Sequence, residues 1–174
     1  MLEIVKATKA DFDKIWPIFQ DIVQKGRTFV YRPDISYEEA KTVWFDPKFA
    51  TYLAMVNGEV VGASVIRPGH RDLGSHIANA AYIIAYEHRG KGYGEDIARD
   101  SFVRAKELGY QAMQFNYVIS TNEVAIALWK KLGFVIVGTV PKAYQHKELG
   151  LVDIHIMHKY LDWLDHELSV EANK

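Results

Sequence analysis

The apolar residues of this chain fall into short segments whose period changes repeatedly. Residues 2–7 alternate weakly and predict a first strand. Phe12, Ile15, Phe19, Ile22 and Val23 then recur at helical spacing, predicting a helix capped by Thr8 and stopped at Gly26. Pro17 lies inside that pattern and should kink or divide it. Ser36 and Glu39 have capping-box spacing, so a second helix is expected over residues 37–45, after a loop at 27–33. Two alternating runs, 50–56 and 59–66, flank Asn57-Gly58, the dipeptide best suited to a two-residue hairpin turn. A polar loop over 67–75 leads into an apolar, β-rich run at 76–86.

Glycines divide the second half. A helix is expected from about residue 92 to 108, ended by Gly109, and a strand over 112–119. Asn122 or Thr121 caps a further helix carrying Ala125, Leu128, Trp129 and Leu132, which Gly133 terminates. Residues 134–140 and 151–160 are strand candidates around a loop at 141–150, and the tail from Asp162 is expected to fray or be disordered. The order β-α-α-β-β-β-α-β-α-β-β predicts a mixed α/β sheet, antiparallel at first, with one parallel crossover in the middle. One domain spanning 1–161, with a tail at 162–174, accounts for the whole pattern.

Charge and composition narrow the function. Twenty-one basic residues against 22 acidic ones give a net charge of -1, without the basic excess of a nucleic-acid binder. The absence of cysteine excludes disulfides, a thiolate nucleophile and a zinc-thiolate site. The N-terminus lacks a signal-like apolar core and no run is long enough to span a bilayer, so a soluble, cytoplasmic protein without a membrane partner is expected. No metal is expected either: no H-E-x-x-H occurs, and His155 and His158 fall on opposite faces of their strand.

The chemistry concentrates at Arg89-Gly90-Lys91-Gly92-Tyr93-Gly94, where a strand-like run meets a bare turn and a helix start. Unpaired amides of a first helical turn and the helix dipole attract phosphate, and glycines let the anion approach without meeting a Cβ. Arg89 and Lys91 place cations beside it. A Rossmann site needs G-x-G-x-x-G and an acid on the next strand, and a P-loop needs Gly-Lys-Ser/Thr. Neither is present, which leaves a different phosphate cradle or a merely flexible connection.

Arg89-x-x-Gly92-x-Gly94 resembles the [Q/R]-x-x-G-x-[G/A] signature of the GNAT superfamily of N-acetyltransferases. The segment from Asn122 through Ala125, Leu128, Trp129 and Gly133 to Phe134 is similar to that family's N-x-x-A-x-x-L-Y-x-K-x-G-F. The resemblance implies a GNAT-like fold, a central mixed sheet with splayed parallel strands flanked by helices. It implies acetyl-CoA as cosubstrate, its pyrophosphate on Arg89, Gly90, Lys91, Gly92, Tyr93 and Gly94. The pantetheine would pair with the strand edge at Ile84, Ala85 and Tyr86, with the Ile84 amide near the thioester carbonyl and Asn122 on the pantetheine amides. Glu95 and Asp96 should then point away from the phosphates. Trp129 stands where the family usually has a thiolate-protonating tyrosine. Tyr144 is the substitute expected here, Tyr93 and Tyr117 are weaker ones, and His76 is a candidate base. His88 is read as packing, His146 as a possible substrate contact and Asp153 as a loop anchor.

On the acceptor side, the stretches 75–80 and 115–122 look like a branch that acetylates proline analogues, the L-azetidine-2-carboxylate acetyltransferases. There Asn79 and Asn116 would hold a small amino acid's carboxylate; satisfaction by backbone or water is the alternative. The expected activity is direct acetyl transfer to a small-molecule amine, an amino acid or analogue. A protein or peptide acetyltransferase and a non-catalytic acyl-CoA sensor are the alternatives. Members of the family often dimerise, so a homodimer is a further partner the resemblance allows.

Overall fold

The structure is a computed structural model describing residues 1–161; the expected tail at 162–174 lies outside the described residues. Seven strands are joined by four α-helices: β1 (Leu2–Lys6), α1 (Phe12–Lys25), α2 (Tyr37–Trp44), β2 (Ala50–Val56), β3 (Glu59–Pro68), β4 (Ile77–Ile84), α3 (Tyr93–Glu107), β5 (Ala112–Ile119), α4 (Glu123–Lys131), β6 (Val135–His146) and β7 (Gly150–Tyr160). The sheet order is β1-β2-β3-β4-β5-β7-β6, and β4 with β5 is its parallel pair. This is the mixed α/β sheet that the element order predicts. Among the described residues, no helix is long and apolar enough to cross a membrane.

Both faces of the central strands are covered. Leu53, Ala63, Val65 and Ile83 pack under α1 and α2 on one face. Ile66, Ala78 and Ala80 pack with Ala98, Phe102 and Trp129 of α3 and α4 on the other. Local chemistry sets several boundaries. The Ser36 hydroxyl accepts from the Glu39 amide at 3.2 Å while the Glu39 carboxylate accepts from the Ser36 amide at 3.0 Å, completing the capping box. Asn57 (φ 52°) and Gly58 (φ 82°) both adopt the left-handed conformation that a tight hairpin turn requires.

Three expectations need correction. Thr8 heads a short 3-10 turn, Lys9–Asp11, and α1 begins only at Phe12. Pro17 neither ends nor divides α1. An interior proline costs about 3 kcal/mol, whereas Phe12, Ile15, Phe19, Ile22 and Val23 are all buried on one face of α1, each contributing about 1.5–3 kcal/mol. The expected loop at 141–150 is mostly strand. β6 runs to His146, irregular between Val140 and Tyr144, with Lys142 at φ 53° and its amide donating to Asp153 Oδ1 at 2.9 Å. Asp153 thus anchors this segment as expected.

The feature that positions the site is the parting of β4 from β5. The two strands pair only at Ile77 with Ala112 and Ala78 with Met113, then separate for the rest of their length. The Asn79 side chain donates to the Gln114 carbonyl at 2.9 Å where the ladder stops.

The exposed Pro17 leaves the Asp13 carbonyl without its helical donor, so Pro17→Ala should stabilise the protein by about 1–3 kcal/mol. At about 2–4 °C per kcal/mol for a chain this size, a thermal melt would show Tm rising by several degrees. An unchanged or lower Tm would mean that α1 is built around its proline.

Candidate active site

β4 ends at Ile84, passes through the 3-10 turn Tyr86–His88 and enters the glycine turn. Gly90 (φ 74°) and Gly92 (φ 85°) are left-handed, and Gly92 is the N-cap of α3 with no side chain to satisfy the helix. The first amide to find a helical acceptor is that of Glu95, bonded to the Gly92 carbonyl at 3.0 Å. Among the described residues, the amides of 90–94 have no protein acceptor. A Cβ built on Gly90 or Gly92 meets nothing within 4 Å. Unpaired amides, a helix N-terminus and open space together make an anion cradle. The Glu95 carboxylate is drawn away by Arg99 at 3.0 Å and Lys131 at 2.6 Å, which also hold its pKa below the usual value, Lys131 foremost. The exposed Asp96 makes no such pair among the described residues.

The parted strands supply the second half of the site. The Ala85 amide donates to Val61 and the Ile77 carbonyl accepts from Gly69, so odd-numbered β4 residues bond toward β3. By alternation, the main-chain groups of Ala80, Tyr82 and Ile84 face the gap beside β5. The Ile84 carbonyl receives a 3.4 Å contact from Arg89 Nε. A cavity of about 850 Å3 fills this gap. It reaches from Gly90, Gly92 and Gly94, past Trp129 and Asn122, to Arg67, Asn79, Asn116 and Tyr117. Asn122 caps α4, its Oδ1 accepting from the Ala125 amide at 3.3 Å, and this leaves its Nδ2 for a ligand. Trp129 is an aromatic wall, its ring centroid 5.1 Å from Tyr82 and 4.6 Å from Phe115.

The far end of the cavity is roofed by residues 28–31. Phe29 stacks on Tyr31 and both meet Phe19 edge-on. The Phe29 carbonyl accepts from the Tyr144 hydroxyl at 3.1 Å, and Arg27 pairs with Glu148 of the β6–β7 turn. Arg67, Asn79 and Asn116 share one polar chain beneath this roof. Arg67 Nε donates to Asn79 Oδ1 at 3.1 Å, and Asn79 Nδ2 reaches the Gln114 carbonyl. Gln114 Nε2 in turn donates to Asn116 Oδ1 at 2.7 Å.

Several expected site residues stand elsewhere. Ala85, Tyr86 and Lys91 are outside the cavity wall. The Ala85 amide is used by Val61, Tyr86 has left the strand edge and is 68% exposed, and the Lys91 ammonium lies 3.4 Å from His88 Nδ1. His76 lies at the opposite end of β4 from the glycine turn, exposed, with Nδ1 3.1 Å from the Leu73 carbonyl. Tyr144 is buried with its hydroxyl held by Phe29, and desolvation together with Tyr117 raises its pKa. Neither side chain is placed to exchange a proton in the cavity. Tyr117 does line it, but its hydroxyl donates to the Ala143 carbonyl; among the described residues the Tyr93 hydroxyl has no partner. His146 Nδ1 accepts from the amides of Glu148 and Leu149, and its ring lines a separate hollow of about 310 Å3. His88 packs its ring beside Tyr93.

Arg67 is the functional candidate that the sequence pattern hid. β3 continues through Arg67 to Pro68, so the residue belongs to a strand and faces Asn79 in register.

Residues 12–134 match the acetyltransferase (GNAT) family, and the chain belongs to it. Among characterised proteins, it is 31% identical over 124 residues to the N-acetyltransferase aca1 of Schizosaccharomyces pombe, a match covering 71% of this chain and 59% of the yeast protein. A GCN5-related N-acetyltransferase from Kribbella flavida superposes with a TM-score of 0.86 and 37% identity, over 91% of this chain and 97% of that one. A phosphinothricin acetyltransferase from Sinorhizobium meliloti, solved in complex with acetyl-CoA, shares the fold at a TM-score of 0.83 and 21% identity, over 93% and 89% of the two chains.

Gly92→Val should weaken acetyl-CoA binding at least tenfold by isothermal titration, since its Cβ branches enter open space beside the unpaired amides. The left-handed conformation there adds about 1–3 kcal/mol of strain, visible in a melt. Gly94→Ala should retain binding, because its Cβ meets only Leu128 Cδ2 at 3.9 Å. Undiminished affinity in Gly92→Val would place the cosubstrate elsewhere.

Proposed function

We propose that this protein is an acetyl-CoA-dependent N-acetyltransferase whose acceptor is a small-molecule amine, an amino acid or amino-acid analogue. One observation carries the reading: a single cavity joins an anion cradle to a roofed polar chamber. Its volume of about 850 Å3 lies within the range of small-molecule sites, about 300–1,000 Å3. A protein acceptor would need an open groove, and the Phe29–Tyr144 and Arg27–Glu148 ties oppose that.

In this reading the amides of 90–94 hold the diphosphate, with Arg89 beside it. The free edge of Ala80, Tyr82 and Ile84 receives the pantetheine as an added strand, and Asn122 Nδ2 contacts its amides. Acetyl-CoA supplies the activated acyl group. A β4 amide aimed at the thioester oxygen stabilises the charge that develops there, an effect worth about 3 kcal/mol in comparable oxyanion sites. The acceptor nitrogen attacks the thioester carbon directly, the carbon–sulfur bond breaks, and the sulfur leaves as thiolate. A thiol with a pKa of about 8.5 leaves without a strong acid, so water can reprotonate it. Trp129, whose indole is only a donor, then serves as wall rather than acid. Trp129 also favours a second reading, acyl-CoA binding without turnover. Thiol release from acetyl-CoA across amino acids, amines and peptides separates the two.

No aspartate or glutamate lines the cavity among the described residues. The acceptor therefore reacts from its own neutral fraction, without a carboxylate base on the enzyme. With a series of acceptors of different amine pKa, the rising limb of kcat/KM against pH should move with the acceptor. A limb fixed at one pH for all acceptors would reveal a titrating enzyme base.

A further inference from the structure

Resting on the acceptor class just proposed, we infer that Arg67 binds the acceptor's carboxylate through its two terminal guanidinium nitrogens, and that Asn79 positions Arg67 for that contact. Two contacts fix the guanidinium plane. Its Nε donates to Asn79 Oδ1 at 3.1 Å, and its carbon lies 5.7 Å from the Phe49 ring centroid. Nη1 and Nη2 have no acceptor among the described residues, yet Arg67 is half-buried and lines the cavity. Other arginines of this chain find carboxylates: Arg27 meets Glu148, Arg99 meets Glu95 and Arg104 meets Asp100. Arg67 has none, and no acidic residue is described in the cavity wall to provide one. A planar fork with one edge already fixed and two donors unused suits a carboxylate.

Asn79 has the geometry of a support. Its amide joins Arg67 on β3 to the Gln114 carbonyl on β5, at the point where the sheet opens. Both ends of that amide are engaged by protein, so its part in acceptor binding is exercised through Arg67. The other wall arginine, Arg89, stands at the glycine turn, so the cavity carries one cation for each of two anions. Pairing the acceptor's carboxylate with Arg67 also withdraws the negative charge that holds the neighbouring ammonium's proton. The nucleophile is then easier to deprotonate in a chamber without a carboxylate base.

The test compares kcat/KM for the best amino acid of a panel with that for its decarboxylated amine, in the wild type, Arg67→Met and Arg67→Lys. A charge-assisted hydrogen-bond pair is worth about 1.5–3 kcal/mol. Arg67→Met should therefore lower the amino-acid to amine ratio about 10- to 150-fold, with Arg67→Lys between the two. Acetyl-CoA affinity and the melting midpoint report that each variant is folded. Asn79→Ala should raise KM for the amino acid while keeping kcat within about threefold, and should add nothing in the Arg67→Met background. Equal losses on amino acid and amine, or additive effects of the two substitutions, would overturn the assignment of Arg67 alone. A wild type that acetylates amines or peptides but no amino acid would overturn the acceptor class and Arg67 with it.

Discussion

The site exists because β4 and β5 cannot stay together. They share two residue pairs and then diverge, leaving the β5-facing amides and carbonyls of Ala80, Tyr82 and Ile84 beside a cavity. Unpaired main-chain groups in an apolar setting are unfavourable unless a ligand or water completes them. The bulge in β5 between Phe115 and Val118 keeps the opposite wall irregular and directs both Asn116 and Tyr117 into the cavity lining. The apolar faces of the helices cover both sides of the sheet around this opening.

Charge is distributed to match that opening. Cations occupy both ends, Arg89 at the glycine turn and Arg67 under the roof, and no carboxylate is described between them. The one acidic side chain of the first α3 turn with nearby cations, Glu95, is bound by Lys131 and Arg99 on the outer surface of the helices. Anions therefore meet amides and guanidinium groups without competing negative charge. The same arrangement leaves proton removal to the acceptor's own ionisation.

Much of this was legible in the sequence because it depends on local rules. Asn57-Gly58, the Ser36–Glu39 box and the glycines at 90 and 92 each demand a particular backbone conformation, and each is found in it, whereas Gly94 is an ordinary residue of the first α3 turn. What sequence could not supply was long-range register. Tyr144 was expected on a loop near the chemistry, but β6 continues through it and turns its hydroxyl to Phe29, more than a hundred residues earlier. His76 shares a strand with the site yet sits at its opposite end. Arg67 opens a polar stretch in the sequence, and only its pairing with Asn79 across β3 and β4 shows why it matters. Pro17 misled for an energetic reason: the buried face of α1 outweighs the local break.

Residue-resolved amide hydrogen exchange, with and without acetyl-CoA, tests the central claim most directly. The account predicts fast exchange at Ala80, Tyr82, Ile84 and residues 90–94 in the free protein, and protection at a set drawn from both stretches once the cosubstrate binds. Strong protection of these amides before any ligand is added, or binding that leaves them unchanged, would contradict it.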